Sequence, residues 1–129
     1  MIVLDTDVLI EVFDKKSAKG DEVLRSLEKK GEDIAITVIN LHEILYGLKK
    51  YAHPVREVLL LPVLDFTKRD AVLSADLELR AEEVGLPIRR ADAMIAAITM
   101  NRGATLYTFD QKHYEPLKKF GLKLFLRNV

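Results

Sequence analysis

The sequence predicts an α/β protein, a three-layer α/β/α sandwich around a mostly parallel five-stranded sheet, in one domain over residues 1–129. Three observations lead there. Five short apolar runs rich in branched residues alternate with longer stretches of helical periodicity. Strands separated by helices pair in parallel through right-handed crossovers, and such a sheet is covered on both faces. The chain of 129 residues is 49% hydrophobic, enough for one core, and no linker, low-complexity tract or repeat divides it.

Taken in order, IVLD (2–5) is the first strand, and Asp5 and Asp7 stand where they can cap a helix over VLIEVF (8–13). Asp21 can cap a helix that closes at Gly31. IAITV (34–38) is the second strand, and Asn40 starts the helix after it. VLDF (63–66) is the third strand, followed by a helix capped by Thr67 and running to Gly85. Asp92 begins DAMIAAITM, a helix ended by Gly103, and the strands TLYT (105–108) and LKLFL (122–126) complete the sheet.

Composition excludes several classes. The chain has no cysteine, so disulfides, thiolate zinc sites and a nucleophilic thiol are ruled out. Lys plus Arg equals Asp plus Glu, 20 against 20, so any nucleic-acid contact must use local cations rather than a global basic field. The apolar runs VLLLPVL and AMIAAITM are far shorter than the ~20 residues of a membrane span. The first residues are interrupted by Asp5, Asp7 and Glu11 and do not read as a signal peptide, so the expected location is the cytoplasm.

In a parallel sheet the ligand crevice lies beyond the carboxyl ends of the strands, near the switch in strand order. Asp5 ends the first strand and Asp110 follows the fourth. Glu43 lies in the first turns of the helix after the second strand, and Asp92 at the start of a later helix. Each has a structural explanation. Asp5, Asp92 and Asp110 suit caps or turns, and Glu43 stands three residues after Asn40, the spacing of a capping box. Four caps have no reason to gather at one sheet edge, however, and carboxylates crowded there repel one another unless a cation compensates. An all-oxygen donor set suits Mg²⁺ or Mn²⁺ rather than zinc. HEILY lacks the second histidine of a zinc-peptidase H-E-x-x-H motif, because Tyr46 occupies that place.

The segments IVLDTDVLI, HEILYG, ADAMIAAI and TFD within LYTFDQKHY, in this order and spacing, resemble the PIN-domain nucleases. Length and layout are similar to VapC-type toxins of VapBC toxin–antitoxin systems. The resemblance implies that Asp5, Glu43, Asp92 and Asp110 hold one or two Mg²⁺ or Mn²⁺ ions, supported by Thr6, Thr108 and Asp7. It implies metal-dependent endoribonuclease activity that hydrolyses RNA to a 5′-phosphate and a 3′-hydroxyl, a homodimer, and a VapB-type antitoxin that covers the site. Arg89, Arg90, Lys112 and His113 flank the acids in sequence and are candidate phosphate contacts, with solvated surface charge as the other reading. Val12, Phe13, Leu45 and Leu48 could line a groove for an antitoxin helix, although core burial suits them better.

Two other activities fit parts of the pattern. Asp5-Thr6-Asp7 after an apolar strand resembles the nucleophile motif of aspartyl-phosphate phosphatases of the haloacid dehalogenase family, but Asp110 lacks the acidic neighbour that family places late in its chain. A receiver-type signalling domain would use an early acid pair and a late Thr such as Thr108, with its phosphoacceptor at the end of the middle strand.

Overall fold

The computed structural model describes residues 1–126. The sheet contains β1 (Ile2–Leu4), β2 (Ile34–Thr37), β3 (Val63–Leu64), β4 (Thr105–Tyr107) and β5 (Lys123–Leu124), in the order β3-β2-β1-β4-β5. Every pairing is parallel, where the sequence supports only a mostly parallel sheet. Val3 of the central strand faces Ala35 on one side and Leu106 on the other. Seven α-helices connect the strands: α1 (Thr6–Leu9), α2 (Ala18–Lys30), α3 (Val38–Lys50), α4 (Arg56–Leu59), α5 (Lys68–Glu83), α6 (Arg90–Asn101) and α7 (Gln111–Lys118).

Side chains alternate across the sheet and define the two outer layers. Ile2, Leu4, Ile36 and Tyr107 pack with Leu9, Val23, Ile44 and Leu48, which places α1, α2 and α3 on one face. Val3, Leu106 and Leu124 pack with Leu77, Ala93, Ala97 and Leu117, which places α5, α6 and α7 on the other. Of the four residues considered for an apolar groove, Val12 and Leu48 are buried and Phe13 and Leu45 pack against the same core, so the core explanation holds.

Several helix ends differ from expectation. Ser17 rather than Asp21 caps α2, because its hydroxyl accepts the Gly20 N–H at 3.0 Å. The helix expected from Asn40 begins at Val38. Thr37 is its cap, and Asn40 closes a capping box with it. The first helix starts at Thr6 and widens into a π-helical turn over Ile10–Asp14. The edge strands β3 and β5 have two residues each, shorter than VLDF and LKLFL, since an edge strand is paired on one side alone.

Two contacts fix the helical layers. Gly20 lies so close to the π-helical turn that a Cβ would stand 2.3 Å from the Glu11 carbonyl oxygen. On the other face the fully buried Asp70, in the first turn of α5, accepts hydrogen bonds from Asn101 Nδ2 and Arg102 Nη1, both at 2.8 Å. It also closes a capping box with Thr67. Burial alone would raise its pKa, but the hydrogen bonds from Asn101, Thr67 and Arg102 outweigh it and hold the carboxyl at about 2.

Gly20→Ala is expected to lower the urea unfolding midpoint by the equivalent of about 2 kcal/mol. Gly47→Ala in α3, where a Cβ meets open space, is expected to raise it. Asp70→Asn is expected to cost about 3 kcal/mol at neutral pH. Because the folded pKa lies below the ordinary 3.8, the stabilisation is complete above that value and fades as pH falls through about 2. The difference between wild type and Asp70→Asn, followed by denaturant unfolding, therefore narrows across that window; a constant difference would refute the ionic role.

Candidate metal centre

The strand order reverses direction between β1 and β4, and the proposed acids surround the carboxyl ends of these two strands. Asp5 closes β1: its N–H donates to the Tyr107 carbonyl of β4 at 2.9 Å, and its carboxylate caps α1 by accepting from Thr6 N–H. Asn40 Nδ2 reaches across from α3 to the same oxygen, Asp5 Oδ1, at 3.3 Å, and to Thr6 Oγ1 at 3.0 Å. The Thr6 hydroxyl donates to Glu43 Oε1 at 2.6 Å. Glu43 is thus held from α1 and makes no capping box with Asn40, whose side chain serves Thr37.

At the end of β4 the Thr108 hydroxyl accepts from Asp110 N–H at 3.1 Å and lies 3.4 Å from Asp7 Oδ2. Phe109 N–H donates to that same oxygen of Asp7 at 3.1 Å. The other oxygen, Asp7 Oδ1, is buried and has no protein donor. Asp110 is exposed and caps α7 through His113 N–H. Asp92 does not cap α6, which begins at Arg90 with Arg89 as its cap residue. It lies buried in the first turn, where Oδ2 meets Arg89 Nε and His113 Nε2, each at 2.8 Å, and Oδ1 accepts the Tyr114 hydroxyl at 3.1 Å.

Asp5, Asp7, Glu43, Asp92 and Asp110 all line one open pocket of about 270 Å³. Among the described residues, no three Asp, Glu or His side chains close on a common point as a finished ligand set. The electrostatics nevertheless favour an incoming cation. Burial, then the Asp7 charge beside it, pushes Asp5 up to about 7, against the opposing hydrogen bonds of Thr108 and Thr6; the Asp92 charge adds to the rise. Burial also raises Asp7 in spite of the Phe109 N–H. A hard cation suits the carboxylate oxygens gathered here, above all the donorless Asp7 Oδ1 and the raised carboxyls of Asp5 and Asp7, although Arg89 and His113 line the same pocket.

Of the expected phosphate contacts, Arg89 and His113 line the pocket. Arg90 instead pairs with Glu78 of α5 through two N–H groups at 3.2 Å, and Lys112 is exposed outside the pocket lining. Two residues of the centre escape sequence reasoning. Asn40 was legible only as a helix start, and Tyr114 is buried at 1% exposure with its hydroxyl on Asp92. The signal for Tyr114 lay in its spacing, four residues after Asp110 and so on the same helix face. Burial first, then Asp5 and Asp92, pushes its phenol far above the ordinary tyrosine range, so it remains a hydrogen-bond donor.

A PIN domain family model matches residues 2–118. Ribonuclease VapC1 of Methanocaldococcus jannaschii is 30% identical, with the match covering 96% of this chain and 86% of that protein. A chain of VapBC2 from Rickettsia felis, solved bound to a DNA fragment from their promoter, superposes with a TM-score of 0.80 at 26% identity, covering 97% of this chain and 98% of that one. A chain of FitAcB from Neisseria gonorrhoeae superposes at 0.78 with 24% identity, covering 98% and 97%, a likeness of fold. The receiver alternative fails on topology, because such domains order their strands 2-1-3-4-5. The phosphatase alternative gives way to the family match across the same residues.

Asp5→Asn tests the charge strain of the metal-free pocket. A carboxyl raised to about 7 is most favourable to the fold below its ordinary 3.8, and its cost grows as pH rises from there through 7. Asn retains the capping acceptor. Denaturant unfolding in chelator is expected to show Asp5→Asn more stable than wild type by about 2 kcal/mol at pH 8, with no gain near pH 4; equal stability at pH 8 would contradict the strain.

Proposed function

Because the chain belongs to the PIN-domain family, we propose that it is a metal-dependent endoribonuclease and the toxin of a VapBC-type pair. The observation that carries this proposal is the gathering of five acids in one pocket at the β1/β4 switch, with Asp5 raised to about 7 and one oxygen of Asp7 lacking a donor. Asp5, Glu43, Asp92 and Asp110 would hold Mg²⁺ or Mn²⁺, with Asp7 close enough to join them. The bound ion supplies Lewis-acid polarisation of a phosphoryl oxygen and lowers the pKa of the attacking water.

The remaining work falls to the chain's own residues. Thr6 orients Glu43, Asn40 orients Thr6 and Asp5, and Thr108 with Phe109 N–H orients Asp7. Arg89 and His113 both contact Asp92 Oδ2 and line the pocket where substrate phosphates would meet it. In-line hydrolysis then leaves a 5′-phosphate and a 3′-hydroxyl, with no protein nucleophile. A VapB-type antitoxin covering the pocket, a homodimer and a cytoplasmic setting complete the proposal. The ribonuclease name of the archaeal relative and the toxin–antitoxin composition of the Rickettsia complex support it. Among the described residues no helix is long and apolar enough to cross a membrane.

Purified chain incubated with a structured RNA pool and Mn²⁺ is expected to cleave it. EDTA is expected to abolish cleavage, and Asp92→Asn to reduce it by more than about 100-fold. Cleavage that survives both would refute the acid centre.

A further inference from the structure

The two oxygens of Asp92 have partners of opposite kinds. Oδ2 meets the guanidinium of Arg89, whose side chain is 77% exposed, and the imidazole of His113, at 25%. Oδ1 faces one uncharged donor, the Tyr114 hydroxyl, on a side chain buried to 1%. We infer that Tyr114 is a positioning residue, whose hydroxyl fixes Oδ1 of Asp92 and thereby reserves Oδ2 for exchangeable cations, a divalent ion among them. This inference rests on the metal-centre reading above.

The placement of that hydroxyl does not depend on Asp92. The Tyr114 ring packs in the core formed by α5, α6 and α7 with Ala93, Ala97 and Leu117, and meets the His113 ring edge-on at 5.5 Å. The β4 end and the Asp110 cap set the start of α7, which carries Tyr114 one turn further on. The carboxylate itself has no such anchor. The terminal torsion of an aspartate is broad and roughly two-fold, so its two oxygens interchange unless a partner distinguishes them. Arg89 and His113 cannot supply that distinction, because they bind the oxygen that an ion would take and reach it from the solvent side. Tyr114 can, since a phenol O–H donates without adding a charge for the ion to displace.

Removing the hydroxyl alone is the discriminating change, because Tyr114→Phe retains the ring and its packing. Mn²⁺ binding to the full chain would be measured by calorimetry for wild type, Tyr114→Phe and Asp92→Asn, beside the Mn²⁺ dependence of RNA cleavage and the metal-free unfolding midpoint. Tyr114→Phe is expected to weaken Mn²⁺ binding about tenfold, leaving KM for RNA and the cleavage rate at saturating Mn²⁺ within about twofold of wild type. A hydroxyl that only stabilised the core would lower the unfolding midpoint and leave Mn²⁺ affinity unchanged, and that outcome overturns the inference. So does a lost rate that saturating Mn²⁺ fails to restore. If Asp92→Asn loses Mn²⁺ while Tyr114→Phe does not, the role of Tyr114 alone falls. If wild type binds no Mn²⁺, the metal-centre reading falls and takes this inference with it.

Discussion

A carboxylate at the end of a buried parallel strand must find donors or a cation, and much of this molecule is arranged around that requirement at Asp5. The residue is 7% exposed and continues the central strand. Its donors come from Thr6 on α1 and Asn40 on α3, and its N–H is tied to β4. One buried charge therefore draws three elements to a common point. Because those donors do not offset the loss of water and the neighbouring charges, the carboxyl stays raised, and the pocket favours a cation.

Asp70 shows the same side chain under the opposite balance. It too is covered from solvent, yet it lies nearer the protein surface than Asp5 and its pKa falls to about 2, because a guanidinium, an amide and a threonine converge on it. Its role is to join the start of α5 to the end of α6, away from the sheet's carboxyl edge. Burial alone does not mark a functional acid. What separates the two is whether the fold supplies full compensation, and Asp5 and Asp7 are the pocket acids left without it.

The sequence made the alternation of elements legible, because runs such as IVLD and IAITV differ sharply in period from the helices between them. It also pointed to one edge for the four acids, Asp5 and Asp110 from strand ends and Glu43 and Asp92 from the starts of helices. Cap assignments were less secure. Ser17 and Asp21, or Thr37 and Asn40, are all good cap residues by type, and the choice between them is made by tertiary contacts such as Gly20 against Glu11. Asn40 and Tyr114 were hidden for a related reason: each joins the centre by reaching across elements distant in sequence.

The central strand lies at residues 2–4, and its partner on one side is β4 at residues 105–107. The separation is about a hundred residues, which makes this pairing a late and slow event as the chain emerges during synthesis. Until β4 arrives, β1 has a partner on one side only, and Asp5 is separated from the acids carried by α6 and the segment after β4. An incompletely synthesised chain thus holds only part of the pocket. The pocket is complete only after nearly the whole domain has been translated, which is also when a partner protein has a finished surface to recognise.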